Sequence, residues 1–531
     1  SGIVSIGDIL KEKPIIIHII VNAMLLFLAI ALGYRYTAEE VLYNNAAGMV
    51  GANFVDIHVW IPYYKIAPYV LIIAVGFSIQ MLIKAKIKTA LIGICAYPVI
   101  WVIAAIVAFA VQTLVVAPND IVLEAANISN NIYMTREAYG LDKIIETRFP
   151  VNNTLTAADV ANNNTIESIR ITDFNATLTA SNKLQGIRQY YIFNDTDIVS
   201  YTIDGKSVPI SIAVRELDKD KITADAGSAS NSYINKTFKY THGYGVVASP
   251  INAVTKEGQP DFIIKDIPIV SNKSAPVVTQ PRIYYGERTN DHVIVKTKLQ
   301  ELDYTDGQIK KEFSYDGEGG ILLDLKNRLL FSAIYGDYKL LVSNQITKES
   351  RLLANRNIIN RVKLVAPFFN YDTDPYILID GEGRLKWVID GYATSEYYPY
   401  SQRVGKINYI RNSIKAIVDA YDGTVTYYIT DTNDPIVQTY KKIYPNLFSQ
   451  DKIPDDLNEH IKYPQYLFKL QADMYKRYHT TDVTVFYNRS DVWDFAKERY
   501  NKIEEQYIEP YYNMMKIQGF EEKGEGLLLT I

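Results

Sequence analysis

An uncharged run of 19 residues, at positions 15–33, constrains this chain more than any other feature of its sequence. An α-helix rises 1.5 Å per residue, so a run of that length crosses the hydrocarbon of a bilayer. Two further apolar runs follow, at positions 67–83 and 89–116. We therefore predict a membrane domain over residues 1–118 that contains three transmembrane helices.

Lysines set the predicted orientation of these helices. They flank the runs, two before the first and three between the second and the third: Lys11, Lys13, Lys84, Lys86 and Lys88. Lys and Arg concentrate in the cytoplasmic loops of membrane proteins, and both groups fall on one side if all three runs span. We therefore expect that side to be cytoplasmic and the chain after residue 118 to be extracellular, in a multi-pass protein of the cell membrane.

The composition of the rest of the chain excludes some classes of protein. The net charge is −4, so no basic surface indicates a nucleic-acid partner. The one cysteine, Cys95, lies in the third apolar run, so the outer part has neither a disulfide nor a thiolate metal site. The whole chain has 42 tyrosines, which suit wet interfaces, although a bias in base composition explains them equally well.

The outer part is predicted to be α+β, because strand and helix signals alternate without a regular βαβ rhythm. We divide it into an Asn- and Thr-rich region, 119–285, and a second domain, 286–531. Helices are predicted at 347–365, at 407–421, after Asp434-Pro435, and at 466–478. Five Asp-Gly pairs predict hairpin turns: Asp204-Gly205, Asp306-Gly307, Asp316-Gly317, Asp380-Gly381 and Asp422-Gly423.

Eight N-x-S/T sequons fit an external location, since such motifs accept N-glycans in secreted chains. Chance in polar loops explains them equally well. They begin at Asn127, Asn152, Asn163, Asn175, Asn194, Asn235, Asn272 and Asn488.

A glycine-rich turn at 241–250 contains the pattern G-x-G-x-x-A. In a dinucleotide site this pattern opens a helix, which Ser249-Pro250 prevents here. We instead predict a turn that positions His242 and Tyr244 for binding, and a purely structural turn stays open.

An acidic cluster predicts a second site. Asp372, Asp374 and Asp380 offer hard oxygen ligands of the kind that Ca²⁺ takes outside cells, although turn capping explains them as well. The sequence has no H-E-x-x-H and no G-x-S-x-G motif, so it nominates no catalytic residue.

Eight segments together resemble one family, the uncharacterised multi-pass membrane proteins of bacteria and archaea grouped as UPF0182. They are YTHGYGVVASPIN (240–252), PDFIIKDIP (260–268), IYYGE (283–287), SNQITKESRLLANRNI (343–358), DPYILIDG (374–381), YPYSQ (398–402), NYIRNSIKAIVDAYDGTV (408–425) and DPIVQTYKKIYPNLF (434–448). The resemblance implies a larger bundle of membrane helices followed by a large extracytoplasmic domain, and it carries over no activity, cofactor or catalytic residue. Because the chain begins without Met and ends in an apolar run, we expect it to be part of a longer protein.

Three functions are compatible with these features. We favour a non-enzymatic envelope protein, in which an outer domain anchored in the lipid bilayer binds or scaffolds envelope proteins or glycans. An extracytoplasmic enzyme that acts on envelope polymer or lipid through His242 is the first alternative, and the outer cap of a transporter is the second. The sequence leaves open whether the chain forms a homo-oligomer.

Overall fold

The computed structural model describes residues 13–46, 48–84, 86–148, 154, 156–158, 168–224, 233–272, 274–500, 504–515 and 526–531. Contacts divide the chain into two units. The first contains Ser1–Glu146, Ser395–Ile410 and Gln471–Asp494, and the second contains Thr147–Thr394, Arg411–Leu470 and Phe495–Ile531. The predicted domain boundaries at residues 118 and 285 stay a prediction.

Both helices and strands are numbered in chain order. The helices are α1 (Lys13–Glu40), α2 (Ile61–Ile83), α3 (Ile87–Val111), α4 (Asp120–Ala138), α5 (Phe174–Leu184), α6 (Leu325–Tyr335), α7 (Lys339–Val342), α8 (Ile358–Val365), α9 (Pro435–Ile443), α10 (Asp455–Asn458), α11 (Gln465–Tyr478) and α12 (Val483–Asn488). Short 3-10 or π turns lie at Val41–Tyr43, Asp56–Trp60, Gln112–Val116, Leu141–Lys143, Lys221–Ala224 and Asn235–Lys239.

The strands are mostly short. They are β1 (Asn45–Ala46), β2 (Met49–Val50), β3 (Tyr191–Phe193), β4 (Asp197–Ile203), β5 (Lys206–Leu217), β6 (Gly243–Tyr244), β7 (Val246–Pro250), β8 (Ile264–Lys265), β9 (Val270–Ser271), β10 (Arg282–Ile283), β11 (Val293–Val295), β12 (Glu301–Asp306), β13 (Ile309–Phe313), β14 (Ile321–Leu322), β15 (Arg351–Leu353), β16 (Asn370–Tyr371), β17 (Tyr376–Ile379), β18 (Leu385–Ser395), β19 (Tyr409–Asp419), β20 (Val425–Ile429), β21 (Lys497–Tyr500), β22 (Glu504–Tyr507), β23 (Tyr511–Met515) and β24 (Gly526–Thr530).

Three apolar helices open the first unit, at the three apolar runs of the sequence. With their flanking turns they span Lys13–Tyr43, Asp56–Ile83 and Thr89–Val116, and each is long and apolar enough to cross a membrane. One tyrosine from each helix joins a shared cluster: the hydroxyl of Tyr34 hydrogen-bonds those of Tyr63, at 3.1 Å, and Tyr97. Polar groups in an apolar bundle lack water and therefore bond to one another across helices.

Helix α4 carries a buried polar face in the first unit. Glu124, Asn127, Asn131 and Thr135 recur at intervals of three or four residues, which places them on one side of the helix. Both carboxylate oxygens of Glu124 accept the backbone N–H of Phe54, at 2.9 and 3.0 Å. The Asn127 amide donates to the same carboxylate at 2.7 Å. Glu124 therefore fastens the segment before α2 to α4.

The C-terminal half of the same face holds a second segment of the first unit. Asn131 donates its side-chain amide to the carbonyl of Tyr400 at 2.7 Å. The hydroxyl of Thr135 accepts the backbone N–H of Gln402 at 3.0 Å. The segment around Tyr400 and Gln402, which lies far along the chain, is thus held to α4 by hydrogen bonds from its backbone to side chains of the helix.

Two antiparallel sheets organise the second unit. The six-stranded sheet has the order β3-β5-β7-β8-β9, with β4 also paired to β5. The five-stranded sheet has the order β16-β18-β19-β20, with β17 also paired to β18. One hydrophobic core includes buried residues of both sheets, among them Ile210 and Ile212 of β5 and Trp387 and Val388 of β18. This sheet-rich region confirms the predicted α+β class.

Four of the five predicted hairpin turns are confirmed. They connect β4 to β5, β12 to β13, β17 to β18, and β19 to β20. At the first of these turns Asp204 and Gly205 both have positive φ, as a two-residue type I′ turn requires. The turn predicted at Asp316-Gly317 is wrong, because β13 pairs with β12 whereas β14 pairs with β15.

The helix predicted at 407–421 is wrong, because this segment forms strand β19. Ile410, Ile414 and Val418 are four residues apart, and that spacing puts them on one face of a helix and also on one face of a strand. Most of the strand is buried on both faces, so the polar alternation that would have distinguished the two is missing.

Of the helix predicted at 347–365, only Ile358–Val365 is helical. Residues 351–353 form β15, and Asn357 begins α8 by accepting the N–H of Asn360 at 3.0 Å. The helices predicted after Asp434-Pro435 and at 466–478 are confirmed as α9 and α11.

The substitution Glu124→Ala is expected to destabilise the first unit by about 1–3 kcal/mol, because the half-buried Phe54 and the buried amide of Asn127 would lose their acceptor. Val122→Ala is the matched control, since Val122 is an exposed residue of the same helix. Thermal unfolding of the purified chain measures both. Equal unfolding midpoints for the two variants would contradict this role of Glu124.

Candidate functional site

A polar pocket of about 470 Å³, which we call the charged pocket, lies in the second unit. Its walls come from the end of β5 with the turn that follows, the π turn at Asn235–Lys239, the loop after β10, Asn194 between β3 and β4, and Arg356 before α8. It is lined by Asn194, Leu217, Asp218, Lys219, Asp220, Lys236, Glu287, Arg288, Thr289, Asn290, Asp291 and Arg356.

The buried carboxylate of Glu216 fixes the loop that forms one wall. Its two oxygens accept the backbone N–H groups of Glu287, at 3.1 Å, and Arg288, at 3.0 Å. Burial raises the pKa of Glu216, and these two hydrogen bonds oppose that effect. Gly286 lies against the same carboxylate, and a Cβ atom there would overlap an oxygen of Glu216. The loop is therefore held in one conformation by β5.

Arg356 is one of the residues that line the pocket, and its side chain is completely buried. Nε donates to the carbonyl of Tyr284 at 2.7 Å, and Nη2 donates to the carbonyl of Thr241. Nη1 has no hydrogen-bond partner among the residues that the structure describes. It lies 3.7 Å from Oδ1 of Asp291. Burial lowers the pKa of Arg356, yet a guanidinium keeps its charge at neutral pH.

A second buried carboxylate, Glu301, lies next to the residues that hold Arg356. It accepts hydrogen bonds from the hydroxyls of Tyr284, at 2.6 Å, and Thr241. Burial raises its pKa to about 7, although these bonds lower it. The residues whose carbonyls hold Arg356 are thus themselves held by Glu301, and this makes the position of the guanidinium rigid.

Lys219 adds a second cation, which is half-buried. Its Nζ donates to the carbonyl of Lys236 at 2.7 Å and to the carboxylate of Asp291. Burial and the nearby charge of Arg356 lower the pKa of Lys219 to about 8. Asp291 is the anion between the two cations: burial raises its pKa, but Lys219 and Arg356 outweigh burial and lower it overall.

The other acidic residues of the pocket contribute less negative charge than their number indicates. Burial and the neighbouring Asp195 and Glu216 raise the pKa of Glu287 to about 9, so it keeps its proton at neutral pH. Asp218 pairs with Lys221 at 3.3 Å, and Asp220 is almost fully exposed. Inside the pocket, positive charge therefore exceeds negative charge.

Neither residue of the predicted binding turn lines the charged pocket. His242 is buried; its Nδ1 hydrogen-bonds the carbonyl of Gly243 at 2.9 Å, and its Nε2 lies 4.0 Å from Asp303. Burial lowers the pKa of His242 to about 4. Tyr244 is also buried, and its carbonyl accepts a hydrogen bond from Arg215 at 2.8 Å. A binding role for the two side chains stays a prediction.

The three aspartates proposed for calcium do not converge. Asp372 and Asp374 share one turn, in which the N–H of Asp374 donates to Asp372 at 3.2 Å. Asp380 lies beyond the other end of β17, where it accepts the N–H groups of Glu382 and Arg384 at 3.1 and 2.8 Å. Within the described ranges, no group of three or more His, Cys, Asp or Glu side chains is placed to hold a metal ion. Calcium binding stays a prediction.

The sequon asparagines differ in exposure. Asn127 is buried and donates to Glu124, so its amide is not free to carry a glycan in the folded chain. Four others are exposed and Asn235 is half-buried; the exposed ones are Asn175, Asn194, Asn272 and Asn488. Asn152 and Asn163 lie outside the described residues.

Sequence reasoning missed Lys219, Glu287 and Arg356. Each occupies a loop next to a buried strand or helix, and no spacing rule connects positions so far apart in the chain. A weak signal exists, because Glu287 and Arg356 both fall in segments that carry the family resemblance, 283–287 and 343–358. Only the fold places these segments at one pocket.

Comparison with known proteins places the chain in a family. The model of an uncharacterised protein family, UPF0182, matches residues 7–531. The chain belongs to the UPF0182 family. A UPF0182 protein of Caldicellulosiruptor saccharolyticus is 48% identical over 96% of this chain and 56% of the relative. One of Clostridium acetobutylicum is 40% identical over 96% and 56%, and one of Alkaliphilus metalliredigens is 41% identical over 96% and 54%.

The chain spans about half the length of these curated UPF0182 relatives. No solved structure matches it. The membership of this chain in UPF0182 confirms the resemblance seen in its sequence.

Gly286→Ala is expected to destabilise the second unit by about 1–3 kcal/mol, because the new methyl group must displace the buried carboxylate of Glu216. The control is Gly526→Ala, where an added Cβ meets open space. Thermal unfolding compares the two variants. If Gly286→Ala unfolds at the wild-type temperature, the loop is not fixed by Glu216 as described.

Proposed function

We propose that this UPF0182 chain is a membrane-anchored envelope protein whose outer part binds a negatively charged group in the charged pocket. The observation that carries the proposal is Arg356, a buried guanidinium among the residues that line a polar pocket. Its Nη1 has no hydrogen-bond partner in the described part of the chain. Buried polar groups in proteins are nearly always paired, so an unpaired one next to a pocket favours a ligand.

Anchoring rests on the three apolar helices of the first unit. Three lysines support the orientation of these helices. Lys84, Lys86 and Lys88 lie at the connection between α2 and α3, and lysines favour the cytoplasmic side of a membrane. With that segment in the cytoplasm, α3 leads outward and the charged pocket faces the envelope. Envelope polymers and lipids of bacteria carry carboxylates and phosphates, which are the groups such a pocket recognises.

The balance of charge favours an anion. Lys219 and Arg356 both pair with the carboxylate of Asp291, which is itself exposed. One carboxylate therefore faces two cations, and a second anion would offset the remaining positive charge. Arg288 adds an exposed cation at the rim. Guanidinium and ammonium groups form short, charge-assisted hydrogen bonds to carboxylate and phosphate.

Binding fits the pocket better than catalysis does. Thr289 offers a hydroxyl as a candidate nucleophile, but this hydroxyl already hydrogen-bonds both the N–H and the carbonyl of Gly286 at 3.0 Å. A nucleophile needs a base within hydrogen-bond reach, and the nearest carboxyl groups here are tied to cations or hold their proton. His242, the residue of the enzyme alternative, is buried outside the lining of the pocket.

Topology can be tested by cysteine labelling in intact bacterial cells. In a Cys95→Ser background, Glu257→Cys should react with a membrane-impermeant maleimide, because Glu257 is exposed in the second unit and we place that unit outside. Lys84→Cys should react only after permeabilisation. The background without cysteine is the control. The opposite pattern, with Lys84→Cys labelled in intact cells, would overturn the proposed orientation.

Ligand class can be tested on the purified chain in lipid nanodiscs. Inorganic phosphate and glucuronate serve as the two probes, and isothermal titration at pH 7 measures their affinities. Binding of at least one probe is expected, and Arg288→Met should weaken it by about tenfold, as the loss of one charge-assisted hydrogen bond implies. Lys310→Met, which removes an exposed charge elsewhere in the second unit, should bind like the wild type.

The same titration has an expected pH dependence. As the pH rises from 7 through 9, Lys219 loses its positive charge and Glu287 gains a negative one, so the affinity for glucuronate, whose own charge is constant over this range, should fall. A glucuronate affinity that rises over this range would contradict the assignment. If neither probe binds, or if the wild type and Arg288→Met bind with equal affinity, the proposed anion site is contradicted.

A further inference from the structure

The helical hairpin formed by α6 and α7 presents an unusually apolar surface in the second unit. Leu325, Tyr338 and Val342 are 73%, 68% and 72% exposed. Five other large apolar side chains of the hairpin are each more than a third exposed: Leu329, Leu330, Ile334, Tyr335 and Leu341. Apolar patches larger than a few hundred Å² are rare on soluble surfaces and mark interaction or membrane sites.

This surface belongs to a well-fixed element. Arg328 of α6 donates from Nε to the carbonyl of Leu340, at 2.9 Å, and from Nη2 to that of Leu341, at 2.6 Å. Ser332 donates to the carbonyl of Asp337 at 2.8 Å, across the turn at Gly336. Leu340 packs fully buried in a small core beneath the hairpin. The apolar residues are therefore held outward by internal contacts.

The charges of the hairpin identify what the surface fits. Both carboxylates are engaged in capping: Asp324 accepts the N–H of Asn327 at 2.7 Å, and Asp337 accepts that of Lys339 at 3.0 Å. Lys326, Lys339 and Asp324 are exposed, whereas Arg328 and Asp337 are half-buried, so the cations of the hairpin exceed its anions by one. An apolar face of Leu, Ile and Tyr flanked by lysines is a feature of helices that lie in the interface of an anionic bilayer. Tyrosine in particular favours the headgroup level.

We infer that the α6–α7 hairpin docks on the surface of an anionic lipid bilayer, with its apolar face at the headgroup boundary. The inference goes beyond the anion pocket but rests on the proposed membrane anchoring. Three helices in the same chain keep the second unit close to a bilayer, so a tethered contact needs little intrinsic affinity. A second copy of the chain is the competing occupant, and the experiment distinguishes it.

The test uses a fluorescent probe in the full chain. In the Cys95→Ser background, Leu329→Cys on the hairpin and Lys310→Cys on an exposed strand are each labelled with the environment-sensitive dye NBD. The labelled chains are reconstituted in nanodiscs that contain phosphatidylglycerol. At position 329 we expect blue-shifted emission and quenching by doxyl-labelled lipid that is several-fold stronger than at position 310.

Each other outcome overturns the inference. Water-like emission at position 329 would show that the hairpin does not meet the bilayer. Blue-shifted emission without lipid quenching, together with disulfide-linked dimers of unlabelled Leu329→Cys, would assign the face to a second copy. Failure of the chain to enter nanodiscs at all would instead contradict the proposed anchoring, so the two failures remain distinguishable.

Discussion

The carboxylate of Glu216 is the contact on which the charged pocket depends. A buried carboxylate is costly unless its oxygens are hydrogen-bonded, and here they are bonded to the backbone of the very loop that forms the pocket wall. The preceding residue, Arg215, has a related role, because its guanidinium donates to the carbonyls of Gln185, at 2.9 Å, and Tyr244. Two consecutive residues near the end of β5 thus tie this strand to three other segments, at Gln185, at Tyr244 and at the loop that begins with Glu287.

Buried charged groups that are hydrogen-bonded also fix Arg356 on another side of the pocket. Arg356 is held by two carbonyls, and the residues that supply them are held in turn by Glu301. Such preorganisation lowers the cost of binding, since the groups that meet a ligand need not be ordered again. Charged side chains fixed in this way make a pocket selective for charge, and this is why an anion is the ligand we favour.

Sequence reasoning succeeded where a local pattern decides the structure. Uncharged runs of sufficient length can only be apolar helices, and Asp-Gly between apolar stretches forms a turn because both residues tolerate positive φ. It failed at β19, where a spacing of four residues fits helix and strand alike, and at 347–357, where the pairing of β15 with β11 overrides local propensity. The charged pocket was beyond its reach, because Lys219, Glu287 and Arg356 become neighbours only through the fold.

Hydrogen–deuterium exchange on the chain in nanodiscs tests the central claim most directly. The claim predicts that whichever anion binds, inorganic phosphate or glucuronate, slows exchange of the backbone amides in the loop 287–291 and in the turn 218–220, which line the pocket from two sides. Peptides from the five-stranded sheet, such as 385–394, should exchange at the same rate with and without the anion. Protection confined to other segments, or no protection by either anion, would contradict the assignment of this pocket as the binding site.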